Sequence, residues 1–171
     1  GGENVAIGKL SLSQASTPSF NVAIGNEALR LTTTGGSNVG GGRESGYSCT
    51  RHSGSVYLGE QAGYSVTTGN QNIAIGHNAI NGGTVTGDNN IAIGASAGDA
   101  LTSGNENIFI GTEAGGTTTT GTHIIAIGRK AAEANITTDG SYSVFIGGYA
   151  GNQITSGIGN VAIGFAALDV E

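Results

Sequence analysis

Glu27 and Glu44 stand 17 residues apart, as do Tyr47 and Tyr64, and that interval governs where chemistry could arise in this chain. Two carboxylates stacked about 5 Å apart could act as a general acid and base. Gln61 and Asn78 continue the same column, and with no cleft expected around it the ordinary reading is a solvated face. His52, His77 and His123 fall at three unrelated phases and supply no ligand set for a metal. The most unusual stretch surrounds Gly40-Gly41-Gly42, where Arg43, Tyr47, Cys49, Arg51 and His52 gather, with Tyr64 one interval further on. A dent flanked by Arg43, Arg51 and His52, with Tyr47 and Tyr64 beside it, could receive a sugar or an anionic group. Alternatively Tyr47 or Leu58 fills the hole, since a vacancy in a packed interior is costly. No Gly-x-Ser-x-Gly elbow or phosphate loop is present, and no cofactor site emerges. The expectation is a protein that is not an enzyme.

The elements that would position these residues are set by a repeat. Asn21-Val22-Ala23-Ile24-Gly25 returns along the whole chain, with final glycines at Gly8, Gly25, Gly42, Gly59, Gly76, Gly94, Gly111, Gly128, Gly147 and Gly164. Seven of the nine spacings are 17 residues, and the others are 18 and 19. A fixed period of this size marks a solenoid-like architecture of stacked coils, so residues 1–171 form one repeat domain of ten coils.

Composition agrees. The chain has 33 glycines, one proline, no Trp and no Met, which leaves too few large side chains for a wide globular core. A formal charge of −6 with six Lys and Arg argues against nucleic acid as a partner. No apolar run of membrane-spanning length occurs, so membrane insertion is not expected. Cys49 is the sole cysteine and excludes an internal disulfide framework. The absence of an initiator Met, and ends without obvious caps, suggest an internal segment of a longer chain.

Within each coil, the position three before the anchor glycine is Val or Ile in all ten copies, and the position one before is Ile in eight. Two such residues spaced by two share one face of a β-strand, expected here to be the interior. The residue between them is Ala6, Ala23, Ala74, Ala92, Ala126 or Ala162, replaced by Tyr57, Phe109 and Phe145 in three coils. It would then face outward, and a column of small apolar residues where polar ones are usual suggests an interface between identical chains. Alanine simply tolerated on an exposed face is the alternative.

An Asn recurs four before the anchor, either laddering up the axis or closing a local turn. Beyond the glycine, Ala28-Leu29 and its counterparts suggest a second, shorter strand. Thr and Gly dominate the connection that completes the coil, and the longer coils should hold their additions around 81–86 and 134–139. Alternating Thr, as at Thr32 and Thr34, raises an ice-binding face, although turn chemistry accounts better for the column. Asn135-Ile136-Thr137 is a glycosylation sequon.

The Asn-Val-Ala-Ile-Gly-x-x-Ala cadence resembles the head repeats of trimeric autotransporter adhesins and is similar to phage tail-fibre repeats. Coil length is closer to the phage pattern. The resemblance implies an all-β, left-handed parallel β-roll, three chains side by side as a homotrimer, in an extracellular fibre or cell-surface appendage. The expected function is structural and adhesive: a rigid rod whose loops meet a cell-surface receptor or glycan in host recognition. Alternatives are an extracellular filament built by end-to-end stacking, and an ice-binding solenoid.

Overall fold

The computed structural model describes residues 2–134, 136 and 141–169. It is an all-β solenoid. Ten three-residue strands follow one another, β1 Val5–Ile7, β2 Val22–Ile24, β3 Val39–Gly41, β4 Val56–Leu58, β5 Ile73–Ile75, β6 Ile91–Ile93, β7 Ile108–Ile110, β8 Ile125–Ile127, β9 Val144–Ile146 and β10 Val161–Ile163. They pair in parallel and in sequence order, forming a single ten-stranded sheet. Equivalent positions lie in register, so Ala6 faces Ala23 and Ala92 faces Phe109. At about 4.8 Å per step, nine steps give a sheet some 43 Å long.

Tight corners hold each coil closed. The anchor glycines take φ near +130°, for instance 127° at Gly76 and 135° at Gly94, a region open to glycine alone. They are also crowded, because a Cβ on Gly94 would lie 2.6 Å from the carbonyl oxygen of Gly111 in the next coil. Both reasons considered from sequence, conformation and close approach, therefore apply. Three further positions in each coil have positive φ: five before the anchor, two after it and four after it. Most of these are not glycine, as with Phe20 at 61°, Glu27 at 58° and Ile80 at 48°. The segment after the anchor is consequently a run of turns, and the second strand expected there does not form. Left-handed residues at alternate positions bend the backbone too sharply for a ladder.

The expected orientation of the strand is reversed. Ala23, Ala74, Ala92, Phe109, Ala126, Phe145 and Ala162 point into the coil, and each is at most 3 % exposed. The Val and Ile columns on either side face outward, with Ile24 at 47 % and Ile7 at 58 % exposure. The coil encloses a narrow lumen shared with two residues after the anchor, such as Ala28 and Leu29. One residue per strand fills the sheet's share of that lumen, and two β-branched side chains would overfill it.

Interior sizes are coupled. Where the strand supplies Ala23 or Ala74, the residue four after the anchor is Leu29 or Ile80. Where it supplies Tyr57, Phe109 or Phe145, that residue is Gly63, Gly115 or Gly151. The ring also invades the preceding coil, so a Cβ on Gly46 would meet Tyr57 at 2.7 Å and one on Gly98 would meet Phe109 at 2.9 Å.

Polar ladders run beside this column. Asn38 donates from both its backbone N–H and its Nδ2 to Asn21 Oδ1, each at 3.0 Å, and its Nδ2 also reaches the His52 carbonyl. Asn90 repeats the pattern on Asn72 Oδ1, and Asn107 repeats it on Asn90 Oδ1. Laddering and turn closure thus come from the same amide. A second ladder of opposite polarity passes from Ser53 N–H to Asn70 Oδ1 and from Asp88 N–H to Asn105 Oδ1. The threonine column is structural too, since Thr33, Thr50, Thr67 and Thr102 donate their hydroxyls to carbonyls of the next coil.

The 18-residue coil takes up its extra residue inside the expected segment. Gly63 N–H bonds to Ala79 O with the regular offset, whereas Thr67 N–H reaches Val85 O, one residue further than Thr50 reaches to Thr67. The other insertion and the sequon at Asn135 and Thr137 fall largely outside the described residues.

The size coupling is testable by thermal unfolding of three variants. Phe145→Ala should cost about 3–5 kcal/mol by opening a cavity, and Gly151→Leu alone should destabilise by driving its side chain into the ring. Together they recreate the Ala23–Leu29 pairing, so the double variant should be about 2 kcal/mol more stable than the sum of the single changes. Simple additivity would show that the two positions do not share space.

Candidate functional site

Side-chain chemistry on the outside collects at one corner, formed by the residues one, two and five after each anchor glycine. Five of the six Lys and Arg fall there: Lys9, Arg30, Arg43, Arg129 and Lys130. The left-handed residue two after the anchor turns the chain outward, and stacking sets equivalent side chains one strand spacing apart.

Along this corner Arg30 Nη1 donates to Glu27 Oε2 at 2.7 Å and to the Tyr47 hydroxyl at 3.1 Å, and its guanidinium lies 5.6 Å from the Tyr47 ring centre. Its pKa is raised first by the Glu27 hydrogen bond. Tyr47 stacks on Tyr64 with ring centres 4.9 Å apart and planes inclined by 12°, as their shared phase predicts. Gln61 Nε2 donates to Glu44 Oε2 at 2.7 Å, and Arg43 bridges Glu44 and Glu60. The Arg43 hydrogen bond holds the Glu60 carboxyl below its ordinary range. Glu27 and Glu44 are therefore each committed to a separate cation or amide, which is the solvated-face arrangement.

Farther along, Lys130 sits between Glu113 at 3.0 Å and Glu133 at 2.8 Å. A shallow groove of about 260 Å³ opens beside it, lined by Ser96, Asp99, Glu113, Gly116, Thr117 and Glu133. Burial pushes the Asp99 carboxyl up, partly offset by His77.

The five proposed ligand contacts do not converge. Arg43, Tyr47 and Tyr64 lie on the corner, and exposed Arg51 lies on the Thr-rich connection. His52 is inside, fully buried, with its ring 5.5 Å from that of Tyr57. The dent at Gly40-Gly41 is occupied: Leu29 packs at Gly40 from within, and Leu58 covers Gly41 from outside. Stacking further limits the tyrosines as a sugar platform, because one face of each ring is taken by the other and Tyr47 also carries Arg30. His123 pairs with Glu106 at 2.9 Å and stacks on Tyr142 at 4.5 Å, at a separate corner. No group of three or more His, Cys, Asp or Glu suited to a metal occurs among the described residues.

No family model, curated protein or solved structure matches the chain.

One surface was assigned to the interior by the sequence and is in fact outside: the Val and Ile columns of the sheet. Ile93 is 37 % and Ile163 67 % exposed, and Gly41 alone interrupts the two apolar columns. The size coupling of Tyr57, Phe109 and Phe145 with Gly63, Gly115 and Gly151 is the signal that would have placed the middle residue inside and these columns out.

Burial raises the Tyr64 hydroxyl above its ordinary pKa of 10, and Tyr47, Glu44 and Glu27 add to the effect. In an alkaline titration followed by ultraviolet absorbance, Tyr64→Phe should remove a late step. Removing a negative neighbour favours tyrosinate, so Glu44→Gln should move that step to lower pH; an unchanged midpoint would mean the carboxylate does not act on the ring.

Proposed function

We propose that this chain is a non-enzymatic structural and adhesive segment of a trimeric fibre, of the phage tail-fibre or surface-adhesin kind. It forms a rigid, left-handed rod outside the cell, three copies lie side by side, and the corner after the anchor glycine is offered to a cell-surface receptor or glycan. The observation that carries this reading is the apolar outer face of the sheet.

Parallel sheets are ordinarily covered on both faces. Here the inner face is covered by the coil itself, whereas Val5, Ile7, Ile24, Leu58, Ile93, Val161 and Ile163 remain more than a third exposed. They belong to two straight columns that contain no charged residue over ten strands. A contiguous apolar patch of this extent marks an interaction surface. An occupant must be as long and straight as the stripe and carry apolar side chains at the same strand spacing. Another copy of this chain has that length and period. The interface expected of the Ala column is accordingly reassigned to the Val and Ile columns. The Asn-Val-Ala-Ile-Gly cadence adds the trimeric arrangement and the handedness.

With the sheet face covered, the variable charges and aromatics of the corner remain accessible, as a receptor-binding rod requires. The threonine column favours this reading over an ice-binding face, because its hydroxyls donate along the axis.

Light scattering on a sizing column tests the assembly. The chain of 16.8 kDa should elute with three times that mass. Ile93→Arg should weaken association on the order of 100-fold, by placing a charge at the centre of the stripe, while circular dichroism retains the β signal. Ala92→Arg, one residue away but inside the lumen, should unfold its coil. A wild-type monomer at micromolar concentration would sink the proposal.

A further inference from the structure

We infer that the coil closing at Gly59 is an acid-triggered opening point, in which protonation of His52 drives its ring out of the lumen and uncovers Cys49 and Tyr57. This does not depend on the fibre reading, since every group involved lies within one chain.

The position seven before the anchor is glycine in eight of the ten coils and histidine only here. Elsewhere a Cβ at this position would meet first the next coil's carbonyl, Gly87 O at Gly69 and Gly121 O at Gly104, and also the coil's own Asn, 2.8 Å from Asn72 Nδ2 and 3.1 Å from Asn107 Nδ2. In this coil Ser55 replaces that Asn, which removes the side-chain obstacle beside the imidazole. The strand supplies Tyr57, on which the ring stacks with planes inclined by 22°. His52, Ser55 and Tyr57 are thus three departures that fit one another.

The arrangement suits a neutral imidazole and offers nothing to an imidazolium. His52 is 0 % exposed, and neither Nδ1 nor Nε2 has a hydrogen-bonding partner in the protein. The titratable groups buried with it are the Tyr57 hydroxyl and the Cys49 thiol, both pushed up by burial and neutral. No Asp, Glu, Lys or Arg is buried among the described residues, so an imidazolium would meet no compensating anion. Burial lowers the His52 pKa from 6.5 to about 4. A histidine with a lowered folded pKa leaves stability intact above 6.5 and removes it progressively as pH falls towards 4, because the unfolded chain binds the proton more tightly.

Opening is confined by the local bonding. Moving His52 strains its carbonyl, which accepts from Asn38 Nδ2 at 3.0 Å. The amide ladder is already interrupted here. Ser55 accepts the Asn72 N–H through its hydroxyl and donates its own N–H to Asn38 Oδ1, without an amide–amide bond. Regular ladders resume on both sides, at Asn21–Asn38 and at Asn72–Asn90.

Cys49, the only cysteine and fully buried, reports the event. Its labelling by a dipyridyl disulfide, which reacts with thiols in acid, would be followed in the intact chain from neutrality to pH about 4 and normalised to the urea-unfolded protein at each pH. Labelling should be slow at neutrality and accelerate on the order of 100-fold as pH falls through this range. His52→Phe keeps a ring in place without a titrating nitrogen and should abolish the acceleration; His52→Gly, the residue of the other coils, should do the same. Since Phe could fail to pack, His52→Leu serves as a further non-titrating variant. Equal acid acceleration in the folded variants, or a wild-type thiol still protected at pH about 4, would overturn the inference.

Discussion

Every coil must superimpose on the next, and the rest of the structure follows from that requirement. In-register parallel strand pairing forces equivalent backbone atoms to within a strand spacing over the whole rod. The anchor glycine and the glycine seven before it meet the limit directly, each with its Cα hydrogens against a carbonyl of the next coil. Any side chain there would displace one coil and every coil beyond it. Left-handed residues recur at fixed places for the same reason: a coil that turned its corner differently would break register. Leu29, Ile80 and Ala132 accept positive φ because superposition and burial outweigh a local cost of about 1–2 kcal/mol.

Superposition also explains why the lumen is filled by coupled choices. Its cross-section is nearly constant, so a large strand residue demands a glycine opposite. Because Tyr57 and Phe109 reach into the preceding coil, that demand extends to Gly46 and Gly98. The irregular segment at Gly40 is a consequence of the same rule. Leu29 from one side and Tyr57 from the other occupy the space that its strand residue and Gly46 vacate. What looks in sequence like a defect is a local redistribution of volume among three coils.

The repeat, the strand positions, the parallel solenoid and the Asn ladder were all legible in the sequence, because each produces one residue type at one phase. The Tyr47–Tyr64 stack was legible for the same reason. Orientation was not inferred correctly: alternation in a three-residue strand says only that the middle residue opposes its neighbours, and the usual association of Ile and Val with the interior chose the wrong side. Left-handed corners were hidden because Phe20, Glu27, Gln71 and Tyr142 carry no glycine signature. His52 was grouped with Arg43 and Arg51 by proximity in sequence, whereas coil phase, seven before the anchor among glycines, places it in the lumen. In a solenoid, phase predicts neighbours better than distance along the chain does.

Phase also separates the tasks that the molecule can divide among its surfaces. Lumen positions are constrained by the coils above and below, which leaves them little freedom to evolve toward a ligand. The strand's outer columns are constrained in another way, since their uniform Val and Ile have no partner within the chain and suit a second straight rod. The corners escape both limits: after the anchor Lys9, Asn26, Arg43, Glu60, His77, Ala95 and Thr112 succeed one another without pattern, and five before it Phe20, Gln71, Glu106, His123 and Tyr142 do the same. A surface free to vary beside one that must not is what a rod that displays chemistry requires. Successive side chains at the corner therefore form a linear display, one strand spacing apart, which is the geometry that the proposed recognition role uses.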